Sequence, residues 1–135
     1  TGETRALWLL PTAFVGMMTV GFLLAMRGVG LPLVEPMILA SVMVLGGMAA
    51  LALRMPLAGA AAITGLFALF HGHAHGAEIG AAEALPYLAG FALSTALLHA
   101  AGVAGGLTLA QRSATLPRVL GACVVLAGTA LGLAG

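Results

Sequence analysis

The sequence predicts an all-α membrane protein, a polytopic transmembrane helix bundle with five spans in this chain. Of its 135 residues, 61% are hydrophobic and only 7% are charged, and a soluble domain of this size could not bury so much apolar surface. Charged residues and prolines divide the chain into stretches about long enough to cross a hydrocarbon core of roughly 30 Å. The lipid bilayer is therefore a predicted partner.

Arginines and prolines mark the ends of the predicted helices, because charge is costly at membrane depth and proline is tolerated in a first turn. Arg5 and Arg27 bracket the first span, and Arg54 ends the second. Pro56 and Pro117 open the third and the last. The predicted spans cover residues 6–26, 36–53, 56–78, 86–110 and 117–133. No long linker or internal repeat separates them, so one domain is predicted.

Two glycine pairs have the spacing that lets transmembrane helices approach closely. They are Gly102 with Gly106 in the fourth span, and Gly128 with Gly132 in the fifth. Both pairs are predicted to serve helix packing. The sequence leaves the oligomeric state open, and a homo-oligomer is one of the alternatives.

The stretch from Phe70 to Glu78 holds three of the four histidines and one of the four carboxylates. On a helix, His71, His75 and Glu78 follow the i, i+4, i+7 spacing and share one face, whereas His73 points about 160° away from His71. Imidazole nitrogen together with carboxylate oxygen suits borderline divalent ions such as nickel, cobalt, zinc or iron. This face is therefore predicted to bind a metal ion.

Two further ionisable residues enter the predicted site. His99 lies near the middle of the fourth span, deeper than any other ionisable residue. Glu35, at the start of the second span, is predicted to lie at the entrance or to support the ligands. The predicted metal residues are His71, His73, His75, Glu78 and His99. No permanently bound cofactor is predicted.

Structural roles remain open for the same residues. His71 and His75 could hydrogen-bond a neighbouring helix, and His73 is equally suited to ligation and to a structural role. His99 could only bridge two helices. Glu35 could simply complement the positive end of a helix dipole.

Charge and motifs exclude other functions. With a net charge of +1 and no lysine, the chain lacks the basic patch that nucleic acid requires, so no nucleic-acid partner is predicted. The sequence has neither a Gly-x-Ser-x-Gly elbow nor a phosphate-cradling Gly-x-x-x-x-Gly-Lys-Ser/Thr loop, and it is not predicted to be an enzyme.

The arginines predict an orientation. If the spans alternate, four arginines share one side of the membrane and Arg27 lies alone on the other, and positive charge favours the cytoplasmic side. The N-terminus of this chain is then cytoplasmic and its C-terminus periplasmic. The histidine stretch faces the periplasm, where an arriving cation would meet it first.

Three segments together resemble the HupE/UreJ family of bacterial membrane proteins. They are Phe70–Glu78 (FHGHAHGAE), Thr95–Gly102 (TALLHAAG) and Leu31–Pro36 (LPLVEP). The resemblance runs along essentially the whole chain. It implies a permease of the bacterial inner membrane that imports nickel, or in some members cobalt, and so indirectly supplies the maturation of metalloenzymes such as hydrogenase and urease. It also implies metal roles for the histidine stretch, His71, His73, His75 and Glu78, and for His99.

Members of that family usually begin with a signal peptide and a first helix that carries a His-Pro motif and an Asp-His pair. This chain has neither. It is therefore expected to be N-terminally incomplete, with six or more spans in the full protein and further ligands upstream.

A haem-binding membrane subunit of an electron-transfer complex is the alternative function. In that role His71 or His75 and His99 would be axial ligands on two helices.

Overall fold

The computed structural model of the protein describes residues 2–79 and 83–134, and over these residues it consists of five α-helices. They are α1 (Gly2–Met26), α2 (Val34–Leu51), α3 (Leu57–Glu78), α4 (Ala84–Arg112) and α5 (Thr115–Ala134). All five are long and apolar enough to cross a membrane. The all-α transmembrane prediction is confirmed, and the helix ends lie within four residues of the predicted ends. The assignment to one domain stays a prediction.

Large apolar side chains point outward from the bundle. Trp8, Leu98 and Leu133 are 74%, 72% and 86% exposed, respectively, which would be costly in water but is favourable against lipid tails. The fully buried large side chains are Met18 and Phe22, both on α1. The packed interior is therefore small and follows α1.

Helices α1 and α3 run parallel and touch through their backbones at glycines of α3. A Cβ atom on Gly72 would overlap the carbonyl group of Met18, and one on Gly76 would lie 2.6 Å from the carbonyl oxygen of Phe22. Gly21 makes the reciprocal contact, since a Cβ there would overlap the carbonyl oxygen of Leu69. Small residues allow such close approach in lipid, where dispersion contacts rather than water exclusion hold helices together.

Helices α2 and α5 form a second close pair, which is antiparallel. Gly121 lies against the Ala50 backbone and Gly128 against Val42. The Arg118 guanidinium donates from Nε to the carbonyl oxygen of Ala50 at 3.0 Å and so satisfies an acceptor at the C-terminal end of α2.

The two predicted glycine pairs have different outcomes. Gly128 and Gly132 both pack against α2, as predicted. Gly102 and Gly106 have no heavy atom near their Cβ positions within the described residues. They lie on α4, which packs against α1.

Helix α4 runs antiparallel to α1 and is held to it by side chains. Thr95 donates a hydrogen bond from Oγ1 to the Sδ atom of Met18 at 3.6 Å, and the ring of Tyr87 stacks on Phe22. This contact brings the histidines of α3 and α4 to the same side of α1.

The helix directions give the bundle two different ends. Arg5, Arg54, Arg112 and Arg118 lie at one end, whereas Arg27, Glu35 and Glu78 lie at the other. The bundle therefore has a basic end and an end that carries carboxylates next to the histidine stretch.

Substituting Gly72 by alanine should destabilise the fold by about 1–3 kcal/mol, because the added methyl group meets the backbone of α1, which cannot move aside as a flexible side chain could. Gly59→Ala is the matched control on the same helix, since its Cβ position is open. Thermal unfolding in detergent micelles measures both. Equal melting temperatures for the two variants would contradict the α1–α3 contact.

Candidate metal site

The histidine face of α3 is formed as the sequence predicts. The imidazole rings of His71 and His75 lie with centroids 5.0 Å apart in an edge-to-face arrangement. The Nδ1 atom of His75 lies 4.0 Å from Oε2 of Glu78. Because Gly72 and Gly76 are turned towards α1, the neighbouring positions 71 and 75 are turned towards α4.

Aromatic rings from two other helices surround this pair. Phe91 of α4 stacks on His71 with centroids 6.0 Å apart and lies 4.3 Å from the ring of His75. Phe14 of α1 lies 6.0 Å from the ring of His71. Tyr87, one turn before Phe91, forms a hydrogen bond through its hydroxyl with Nδ1 of His75 at 3.0 Å. The pair therefore lies in an aromatic cluster with one polar contact.

Sequence reasoning missed these aromatic residues. Only seven residues of the chain are aromatic, and Tyr87 and Phe91 have the i, i+4 spacing that places two of them on one face of α4. That spacing could have predicted an aromatic face on α4. Phe14 carries no comparable signal, because only the packing of α1 against both α3 and α4 brings it to the histidines.

His99 is half-buried on α4, separate from the pair. Its Nδ1 lies 2.9 Å from the carbonyl oxygen of Thr95, and since a carbonyl can only accept, Nδ1 carries the proton and Nε2 keeps its lone pair. The ring lies 4.7 Å from that of Phe14 and lines a groove of about 740 Å³, together with Trp8 and Pro11. This groove lies between α1 and α4.

Phe14 connects the two histidine positions. Its ring contacts both His71 and His99, whereas the described part of the chain shows no direct ring contact between the two imidazoles. The described histidines therefore form a pair on α3 and a single residue on α4, with Phe14 in contact with both.

His73 faces a different part of the structure. It is 7% exposed, and Nε2 donates a hydrogen bond to the carbonyl oxygen of Val29 in the α1–α2 connection at 2.7 Å. Its Nδ1 atom is buried with no hydrogen-bond partner among the described residues. The structure thus gives His73 a structural contact, in agreement with its predicted direction on α3, and does not bring it to the other histidines.

The two carboxylates of the predicted site are both exposed. Glu78 is 73% exposed at the end of α3, close enough to His75 for electrostatic attraction but beyond hydrogen-bond distance. Glu35 lies in the first turn of α2, where a negative charge complements the helix dipole. Across residues 2–79 and 83–134, no three side chains of the His, Cys, Asp and Glu types are grouped closely enough to hold one ion. The described chain supplies two imidazoles with a carboxylate nearby.

The sequence matches the family described as HupE / UreJ protein over residues 1–131. The chain belongs to the HupE/UreJ family. Among similar proteins is Protein HupE of Rhizobium leguminosarum bv. viciae, which is 40% identical over 129 residues; the match covers 94% of this chain and 68% of that protein. No solved structure matches the chain.

Membership in the HupE/UreJ family confirms the resemblance drawn from the histidine stretch and the two flanking segments. With five helices able to span a membrane, this HupE/UreJ chain is a multi-pass membrane protein.

Replacing His73 by alanine should lower stability by about 1–3 kcal/mol, because the packing of the buried imidazole and its hydrogen bond to the carbonyl oxygen of Val29 are both lost. His73→Gln is the matched variant, since its amide can still donate. Thermal unfolding, with hydrogen exchange read over residues 27–33, measures the effect. If His73→Ala left both unchanged but weakened metal binding, His73 would be a ligand and not a structural residue.

Proposed function

We propose that this protein is a secondary transporter that carries a divalent transition-metal cation, nickel or cobalt, across the bacterial inner membrane from the periplasm to the cytoplasm. The observation that carries the proposal is the His71–His75 pair, with ring centroids 5.0 Å apart, inside a bundle of membrane-spanning helices. Membership in the HupE/UreJ family supports it.

The chemistry of the pair favours a borderline divalent cation. Imidazole nitrogens suit nickel and cobalt, whereas copper(I) prefers thiolates and thioethers. With two imidazoles and the nearby carboxylate of Glu78, an ion here would retain part of its water shell. Incomplete replacement of water suits transport, because a transported ion must bind well enough to enter and weakly enough to leave.

The route follows the positions of the ionisable groups. Glu78 is exposed at the end of α3, His75 and His71 lie successively deeper, and His99 lies near the middle of α4. An ion passing from the pair to His99 must pass Phe14, which contacts His71 and His99. In this route, rotation of the Phe14 ring accompanies each transfer.

The distribution of arginine supports the inward direction. One end of the bundle carries Arg5, Arg54, Arg112 and Arg118, and the histidine stretch lies towards the other end. Basic residues favour the cytoplasmic side. The end with the histidine stretch then faces the periplasm, with the N-terminus of this chain in the cytoplasm and its C-terminus in the periplasm. The imported ion would be available for metalloenzyme maturation.

Proton linkage follows from the ligands. Histidine must be deprotonated to coordinate a metal, so ion binding competes with protons at the pair. The sequence has no phosphate-cradling loop, in keeping with transport driven by ion gradients.

The haem alternative is less compatible with the geometry. A porphyrin held between α3 and α4 by His71 and His99 would need the space that the Phe14 ring takes up against both residues. A Soret band in the purified protein would restore this alternative.

Alanine substitution of His71, His75 or His99 should reduce nickel and cobalt uptake by at least about tenfold, because each change removes a nitrogen ligand from the route. Uptake is measured in cells or proteoliposomes containing the full-length protein. His73→Gln serves as the control histidine, since it lies outside the route. Undiminished uptake by correctly folded variants would refute the proposed function.

Phe14→Trp should slow uptake several-fold while leaving equilibrium binding at the His71–His75 pair largely intact, because a larger ring turns less readily in a packed site. Leu9→Trp on α1 is the control, since Leu9 is 44% exposed on the outer surface. Initial rates in proteoliposomes, compared with cobalt binding to the same protein in detergent, separate the two effects. A proportional loss of binding would show that Phe14 supports the pair instead of limiting passage.

A further inference from the structure

Tyr87 is the polar side chain of α4 that reaches the histidine pair. Its hydroxyl oxygen lies 3.0 Å from Nδ1 of His75. The carboxylate of Glu78 lies 4.0 Å from the same nitrogen, beyond hydrogen-bond distance. The tyrosine hydroxyl is therefore the hydrogen-bond partner of Nδ1.

Packing fixes the direction of the Tyr87 ring. The ring stacks on Phe22 of α1 with an interplanar angle of 16° and centroids 5.9 Å apart. The ring also meets Phe91, with centroids 5.9 Å apart. Because both neighbours are themselves packed in the aromatic cluster, the hydroxyl is held at His75 and cannot swing freely away from it.

The direction of the hydrogen bond between Tyr87 and His75 decides whether Nε2 of His75 can bind an ion. A neutral imidazole has one N–H donor and one nitrogen with a lone pair, and only the latter can coordinate a metal. If the Tyr87 hydroxyl accepts from Nδ1–H, then Nε2 has the lone pair and is the available ligand atom. If the hydroxyl donates to Nδ1, then Nε2 carries the proton and His75 offers no free nitrogen.

His99 shows the first arrangement without ambiguity. The carbonyl oxygen of Thr95 can only accept, so it fixes the proton on Nδ1 and leaves Nε2 with the lone pair. A hydroxyl differs from a carbonyl because it can both accept and donate. The Thr95 carbonyl therefore fixes the position of the proton on His99, whereas the Tyr87 hydroxyl is compatible with either neutral form of His75.

We propose that Tyr87 is a positioning residue for transport: by accepting a hydrogen bond from Nδ1–H of His75, it presents Nε2 of His75 to the divalent cation. This inference rests on the proposed function of the His71–His75 pair.

Tyr87→Phe tests the inference, because it removes the hydroxyl and keeps the ring that packs on Phe22 and Phe91. Cobalt(II) titration of the purified full-length protein in detergent should show a dissociation constant about 10–100 times weaker than that of the wild type, as expected for loss of a partner that orients a ligating histidine. The visible absorption of bound cobalt should also change. Thermal stability without metal should stay close to that of the wild type.

A double-variant cycle shows whether Tyr87 acts through His75. In the His75→Ala background, adding Tyr87→Phe should cause no further loss of cobalt affinity. A further loss of similar size would overturn the inference, since Tyr87 would then act on the ion independently. Thr129→Val is the control for loss of a hydroxyl, because Thr129 donates to the Val125 carbonyl of its own helix.

The outcomes separate this inference from the proposed function. If His75→Ala weakens cobalt binding but Tyr87→Phe changes neither affinity nor spectrum, the role of Tyr87 is refuted and the metal site stands. If His75→Ala itself leaves cobalt binding unchanged, the proposed site fails and the inference fails with it. Nitrogen-15 NMR of labelled histidine provides a direct reading: in a diamagnetic zinc complex of the wild-type protein, Nδ1 of His75 should carry the proton and Nε2 should be the metal-bound nitrogen. A zinc-bound Nδ1 would overturn the inference.

Discussion

The backbone contact between α1 and α3 is the constraint on which the site depends. Gly72 and Gly76 turn one side of α3 into a flat surface that lies directly on the α1 backbone. Histidines at 71 and 75, one position before each glycine, are thereby rotated by about 100° away from that contact and towards α4. His73, one position after Gly72, is rotated by the same angle in the opposite sense and meets the α1–α2 connection. Alternation of glycine and histidine along one helix thus assigns different surroundings to chemically identical side chains.

Because these histidines lie at membrane depth, their hydrogen bonds determine which ring nitrogen is free to bind an ion. An imidazole without a partner in hydrocarbon is costly, and each of three histidines bonds to a group of the protein: His73 to Val29, His75 to Tyr87, and His99 to Thr95. Such bonds contribute only about 0.6 kcal/mol each on average in membranes. Their larger effect is to determine where the lone pair lies, because a ring nitrogen that donates to the protein leaves the opposite nitrogen as the acceptor.

Hydropathy and helical periodicity were sufficient to predict the five helices and the shared face of His71, His75 and Glu78. They were not sufficient to predict which glycines form helix contacts. Glycine pairs occur on both α4 and α5, yet only Gly128 and Gly132 pack against a described neighbour, so spacing alone does not identify a helix interface. For the same reason the contact of Phe14 with both His71 and His99 was not predictable, since it requires α1 to lie against α3 and α4 together. The assignment of metal ligands, including His73 and Glu35, remains a prediction.

The close antiparallel pair of α2 and α5 lies apart from the aromatic cluster, whose members all come from α1, α3 and α4. Natural variation in this chain should therefore have two kinds of physiological consequence. Bulky replacements along the α2–α5 seam would change how much protein survives quality control in the cell, with each surviving molecule working normally. Replacements in the aromatic cluster that keep its packing, such as loss of the Tyr87 hydroxyl, would leave abundance unchanged and, under the proposed function, alter how growth responds to scarce trace metal.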